Sequence, residues 1–276
     1  SADIYKLGEI LMEQQIIAEN RVSRLFKEKK DILSVYFTAG FPELNNTVNI
    51  IQALENAGTD LIEIGMPFSD PIADGPTIQD SSTAALKNGM RIDVLFEQLK
   101  TIRQSVNIPL ILMGYINPVM QFGMEKFLER CRDVGIDALI LPDLPMQEYL
   151  DHYKELFAQY GLYNIFLITP QTSPDRINLI DENSHGFIYM VSSASVTGAK
   201  GQLTEKQIAY FDRVNNMGLK TPRLIGFGIS NQETFAQACR HASGAIIGSA
   251  FIKMLDKSQH LEKDIQQFIK SIKTAQ

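Results

Sequence analysis

Short runs of apolar residues alternate with longer amphipathic stretches along almost the whole chain. The runs 32–38, 60–64, 108–113, 137–141, 163–168, 186–191, 223–226 and 244–247 are nearly continuous in Ile, Val, Leu and aromatic residues. Strands buried on both faces of a parallel sheet need that composition. Between the runs, apolar residues recur at helical spacing over 44–57, 77–88, 91–105, 122–134, 146–160, 174–182, 204–217, 231–241 and 260–274. Gly58, Gly135, Gly161 and Gly218 stand where four of these stretches stop, a place that wants a residue with positive φ. Upstream, residues 3–30 also read as helical. Ile4, Leu7, Leu11, Ile16, Val22, Leu25 and Phe26 fall on one stripe, and Asn20 is a capping residue between two pieces.

Eight strand-and-helix units in one chain of 276 residues predict an α/β fold of the (β/α)8 TIM-barrel type. The alternative is an open doubly wound sheet. Against it, no Gly-x-Gly-x-x-Gly opens a helix after the first strand. The segment 77–105, with its two helical stretches, is expected to be an insertion after the second strand. Residues 1–30 are expected to form an extra N-terminal helical cap under the barrel. No Ser/Gly linker or composition break divides the chain, so 1–276 reads as a single domain, with 31–276 as the barrel.

Composition narrows the function. Hydrophobic residues at 45% and charged residues at 21% are those of a soluble globular protein. A net charge of −6 excludes a broad nucleic-acid footprint. A phosphate-bearing substrate remains open, held by local backbone dipoles against the overall field. No run reaches the ~18–20 apolar residues of a membrane span. Asp3, Glu9 and Glu13 near the start, with no apolar stretch beside them, argue against a secretory leader. Cys131 and Cys239 make no Cys-x-x-Cys pair and read as free thiols of a cytoplasmic protein.

A barrel builds its site at the C-terminal ends of its strands, so position filters the candidates. Glu63 interrupts the run Leu61-Ile62-Glu63-Ile64. It is either the ion partner of an Arg or Lys in the barrel interior, or a general acid/base whose pKa is lifted toward neutrality by its apolar neighbours. Asp74 either caps the helix that starts near Pro76 or accepts a hydrogen bond from a substrate N–H. Tyr189, late in its strand, is a packing residue or a wall of the site. Gly226-Phe227-Gly228 and Gly248-Ser249-Ala250 end the last two strands, and a short helix is expected over 250–255. They are tight turns, or a phosphate cradle of backbone N–H groups at a helix N-terminus. The small, polar loop 192–201 suits a lid as well as a plain surface loop. His152, His185, His241 and His260 all lie away from that face, and no metal site is expected.

The stretch Glu63-Ile64-Gly65-Met66-Pro67-Phe68-Ser69-Asp70-Pro71-Ile72-Ala73-Asp74-Gly75-Pro76 resembles the signature of the tryptophan synthase α-subunit family. Tyr36-Phe37-Thr38-Ala39-Gly40, Gly114-Tyr115-Ile116-Asn117-Pro118, Pro142-Asp143-Leu144-Pro145, Val196-Thr197-Gly198, Gly226-Phe227-Gly228-Ile229 and Gly248-Ser249-Ala250 are supporting matches to the same family, in the same order along the chain. The resemblance implies retro-aldol cleavage of indole-3-glycerol phosphate to indole and glyceraldehyde 3-phosphate. It implies Glu63 as general acid/base, Asp74 as acceptor of the indole N–H and Tyr189 beside them. Tyr36, Ile78, Tyr115, Thr197 and Phe227 would contact the rest of the substrate. Gly198, Gly228, Gly248 and Ser249 would hold its phosphate. No cofactor or metal is implied for this chain. Pyridoxal phosphate would belong to a β-subunit partner, met at Pro67, Asp70 and Asn117 in an α2β2 assembly. Where much of the family has an Arg and a Gly in the lid, this chain has Ser193 and Ser195, so contacts by that Arg on closure are not expected. Two other readings compete: a different phosphosugar barrel, which would want a catalytic Lys that none of the eight strand runs contains, and a barrel kept only as a binding partner.

Overall fold

The structure, a computed structural model, describes residues 18–69, 74–192, 203–226 and 228–273. Nine parallel strands form one sheet: β1 (Ile32–Thr38), β2 (Leu61–Gly65), β3 (Leu110–Met113), β4 (Ala138–Ile140), β5 (Tyr163–Asn164), β6 (Leu167–Ile168), β7 (Ile188–Val191), β8 (Arg223–Gly226) and β9 (Gly244–Ile247). Their order is β5-β4-β3-β2-β1-β9-β8-β7-β6. The two ends of that order, β5 and β6, are consecutive pieces of one segment, 163–168. Its first half pairs with β4 and its second half with β7. The Ile165 N–H still bonds Leu139 O at 2.9 Å, and the Tyr189 N–H bonds Phe166 O at 2.9 Å. The sheet therefore closes on itself through this segment. The single strand expected there is broken because it changes neighbours halfway along. The TIM-barrel expectation holds, and the open doubly wound sheet does not.

Alternation along the strands makes two cores. Ile32, Leu61, Ile111, Ala138, Tyr163, Phe187, Leu224 and Ile246 pack together inside the barrel. Leu33, Val35, Phe37, Ile62, Ile64, Leu112 and Ile225 face the surrounding helices. The four helix-ending glycines all have positive φ. At Gly135 (φ 88°) the Arg103 side chain also lies where a Cβ would stand, so the position excludes other residues twice over.

The helical expectations hold with local departures. Two helices, Pro76–Lys87 and Ile92–Leu99, separate β2 from β3. A helix over Ile116–Phe122 was not expected. Pro118 there reads as a breaker, but it stands in the first turn, where a missing N–H costs nothing. Gly123 (φ 102°) separates it from Met124–Val134. Within 146–160, residues Tyr149–Tyr153 form a π turn.

Ahead of β1, Arg21–Glu28 is a helix capped by Asn20, whose Oδ1 accepts from the Val22 N–H at 2.9 Å. Val22 is fully buried among the interior residues, and Phe26 stacks on Phe187 with ring centroids 5.3 Å apart. This helix covers the N-terminal end of the barrel interior. The rest of the expected cap, 1–17, lies outside the described residues. No helix among the described residues is long and apolar enough to cross a membrane. Cys131 is buried and Cys239 half-buried, both as free thiols.

Two buried carboxylates tie strand starts together at this same end. Asp60 accepts from the Leu33 N–H at 2.9 Å, Lys273 Nζ at 2.7 Å and Lys29 Nζ at 3.1 Å. Asp137 repeats the arrangement, accepting from the Leu110 N–H at 3.0 Å, Arg103 Nη2 at 2.9 Å and Arg21 Nη1 at 3.1 Å. Each also donates its own N–H to the residue whose N–H it accepts, Asp60 to Leu33 O and Asp137 to Leu110 O.

Candidate active site

On β2, Leu61 and Glu63 point inward while Ile62 and Ile64 point outward, so the strand that builds the core also carries a carboxyl into it. Glu63 is fully buried. Its Oε2 accepts a hydrogen bond from Ser34 Oγ on β1, and Oε1 has no hydrogen-bond partner among the described residues. Burial pushes its carboxyl up to about 7, with the Ser34 hydroxyl pulling the other way. The described residues place no Arg or Lys against it, so the ion-partner reading finds no support.

Asp74 sits at the mouth of the barrel, just before the helix Pro76–Lys87. The N-cap of that helix is Gly75, with no side-chain capping bond. The Asp74 carboxylate instead accepts from the Tyr115 hydroxyl at 3.1 Å, and its backbone oxygen accepts from Gln79 Nε2 at 2.6 Å. Burial raises its pKa, and the Tyr115 bond opposes the rise. Capping is thus not what its carboxylate does.

Tyr36 on β1 and Tyr189 on β7 each lie near both acids. Each ring occupies the space a Cβ would take on the next strand, Tyr36 against Gly65 and Tyr189 against Gly226. Burial raises both phenols far above the ordinary range. The nearby charge of Asp74 and Glu63 adds to the rise at Tyr36, as does that of Glu63 and Asp74 at Tyr189. Both stay protonated and available as donors.

Above them opens a cavity of about 780 Å³. Its walls include Tyr36, Asp74, Ile78, Tyr189, Gly228, Gly248 and Ser249, all singled out in the sequence. Gly248 is the N-cap of the helix Ser249–Lys257, so N–H groups without a partner inside the helix and the positive end of the helix dipole face the cavity. Tyr115 reaches the site through Asp74, and Glu63 lies beneath the tyrosines. Pro67 is half-buried and Asn117 exposed, and neither lines the cavity. Asp70, Thr197, Gly198 and Phe227, with the lid positions Ser193 and Ser195, lie outside the described residues.

The sequence reading missed Leu167, Thr169, Val191, Gln207, Ser230, Ile246, Lys253 and Phe268 in the cavity wall. Leu167 and Val191 were within reach, since both lie on the inward-facing side near the ends of the runs 163–168 and 186–191. Lys253 was too, one helical turn after Ser249. Phe268 comes from a helix distant in sequence, and no local signal marks it. The four histidines are absent from the wall. No group of three or more His, Cys, Asp or Glu side chains among the described residues is arranged for a metal ion.

Comparison with known proteins decides the family. The tryptophan synthase alpha chain family matches residues 22–276. The chain belongs to that family. It is 59% identical over 254 residues to the tryptophan synthase alpha chain of Flavobacterium johnsoniae, covering 92% of this chain and 100% of the relative. It superposes on the tryptophan synthase subunit alpha of Legionella pneumophila with a TM-score of 0.83 and 33% identity, over 92% of this chain and 97% of the other. A structure of tryptophan synthase from M. tuberculosis matches with a TM-score of 0.81 at 27% identity, over 92% and 98% of the two chains. Membership makes the chain a lyase of L-tryptophan synthesis, which cleaves indole-3-glycerol phosphate to indole and glyceraldehyde 3-phosphate.

Proposed function

We propose that Glu63 and Asp74 are the acid–base pair of this cleavage. The carrying observation is the state of Glu63: fully buried, with one oxygen lacking a hydrogen-bond partner among the described residues, and a carboxyl pushed by burial up to about 7. Such a group both accepts and returns a proton at neutral pH. In the retro-aldol step Glu63 takes the proton of the glycerol hydroxyl next to the ring and supplies a proton to the ring carbon that bears the side chain. The carbon–carbon bond then breaks, leaving indole and the aldehyde. Asp74 accepts the indole N–H and stabilises the positive charge that protonating the ring creates, an interaction stronger in the transition state than in the ground state.

Tyr189, Tyr36, Ile78 and Tyr115 enclose the ring and glycerol, with Thr197 and Phe227 assigned to the same task. Gly228, Gly248 and Ser249, with Gly198, hold the phosphate on backbone N–H groups at the Ser249–Lys257 helix start. The chain needs no metal or organic cofactor for this half-reaction. It acts in the cytoplasm as one barrel domain. Its partner is a β subunit that carries pyridoxal phosphate, met through Pro67, Asp70 and Asn117 in an α2β2 assembly.

Indole release from indole-3-glycerol phosphate by the wild type, Glu63→Gln and Asp74→Asn tests the roles. Glu63→Gln should lose roughly 100-fold or more; a fully active variant removes its role. Saturating β subunit should raise the cleavage rate, and an unchanged rate removes the partner.

A further inference from the structure

We propose that Ser34 is the positioning residue for Glu63: its hydroxyl engages Oε2 and so leaves Oε1 as the oxygen that exchanges protons with substrate. This rests on the reading of Glu63 as the acid/base and deepens it.

Ser34 stands on β1 in register with Leu61 on one side and Ile246 on the other. Both neighbours belong to the apolar interior, and Ser34 is itself fully buried. A hydroxyl in that layer is costly unless bonded, and the acceptor the structure supplies is Glu63 Oε2. Tyr36, two residues further along, is the residue in register with Glu63. The serine therefore reaches the carboxyl diagonally, from the N-terminal side, away from the cavity.

The contact makes the two carboxyl oxygens unequal. Oε2 is engaged, while Oε1 has no hydrogen-bond partner among the described residues. In the ionised state Oε1 is the free acceptor. In the neutral state a proton on Oε1 is compatible with the Ser34 bond to Oε2. One oxygen thus serves both directions of proton transfer without rotation of the carboxyl.

The hydroxyl also favours the ionised form, because it donates to it. The other titratable groups near Glu63 are Tyr189 on β7 and Tyr36 on β1; the charge of Asp74 after β2 reaches both tyrosines, and Tyr115 after β3 acts on Tyr36. From β3, β8 and β9 the inward residues at this depth are Ile111, Leu224 and Ile246. No described cation offsets the loss of Ser34.

Ser34→Thr and Ser34→Val test this as a pair of nearly equal shape, one with the hydroxyl and one without; Ser34→Ala is the smaller control. Each is followed by kcat/KM for indole release against pH. Infrared titration of the Glu63 carboxylic acid, assigned by its absence in Glu63→Gln, gives a readout independent of turnover. Ser34→Val and Ser34→Ala should move the Glu63 ionisation up by about one pH unit, with a pH-dependent loss of activity, while Ser34→Thr keeps the wild-type midpoint. A wild-type midpoint in Ser34→Val and Ser34→Ala, or an equal, pH-independent loss in all three variants, overturns the role of Ser34. If that happens while Glu63→Gln is inactive, the acid/base reading stands alone. A fully active Glu63→Gln would remove both.

Discussion

The two ends of this barrel treat buried carboxylates in opposite ways. At the N-terminal end Asp60 and Asp137 are each met by a backbone N–H and two cations. Among the described residues at the C-terminal end, buried Glu63 has one hydroxyl on one oxygen, and half-buried Asp74 has one phenol on its carboxylate. Only three positions separate Asp60 from Glu63 on the same strand segment. The comparison shows that burial of a charge does not mark a functional site by itself; the count of its partners does. A carboxylate with full partners locks strands in register, and one kept short of partners has a proton to trade.

The largest expected effect lies at the N-terminal end. Asp137→Ala leaves Arg103 and Arg21 facing each other without their anion. It should cost about 3–5 kcal/mol of stability, read by urea unfolding. Turnover of the remaining folded protein should stay close to wild type. A large drop in turnover with unchanged stability would erase the contrast between the ends.

At the other end Glu63→Gln should do the reverse. Its loss of roughly 100-fold in cleavage corresponds to ~2.7 kcal/mol of transition-state stabilisation. Its effect on stability has a sign set by pH. The folded state holds the Glu63 proton up to about 7, against a reference value of 4.5. The proton-bound carboxyl therefore favours the fold fully below pH 4.5, and that contribution fades as pH rises to 7. Wild type should lose stability between those pH values relative to Glu63→Gln, by an amount on the order of 2 kcal/mol. Unfolding of both proteins at pH 5 and pH 8 measures it, and parallel behaviour would mean that Glu63 titrates normally.

Gly226→Ala should cost about 1–3 kcal/mol, since a Cβ there meets the Tyr189 ring. It should lower turnover as well, because the ring it displaces lies beside Glu63. A stability loss with unaltered turnover would make Tyr189 a packing residue only. The smallest effect is expected from Tyr115→Phe, which removes the bond to Asp74 Oδ2. Asp74 should then titrate still higher, and cleavage on the acid side of the pH profile should weaken by a few-fold, since a hydrogen bond of this kind is worth ~1 kcal/mol. A pH profile identical to wild type would show that Tyr115 does not hold Asp74.

Much of this was legible in the chain. The runs 32–38 and 223–226 appear as strands with the expected bounds, because a buried parallel strand needs an apolar residue at nearly every position. Glu63 was legible as a charge inside such a run. Ser34 was not: a serine in a strand acquires meaning only from the register of β1 on β2, which no local pattern carries. The break at Ile165-Phe166 was hidden for the same reason, since it depends on which strands flank the segment. Ile116–Phe122 was hidden by Pro118, whose permitted place in a first turn looks like a stop in sequence. Asp74 kept two readings until Tyr115 was seen beside it.

The change of neighbours within 163–168 divides the sheet into β1–β5 and β6–β9, joined again where β1 meets β9. The proposed carboxylates belong to the first division. The proposed anion cradle, at Gly228, Gly248 and Ser249, belongs to the second. A substrate must therefore reach from one division to the other to be held at both ends. The separation of the two divisions becomes a ruler for molecular length, and a shorter or longer phosphate ester would leave one end unmet.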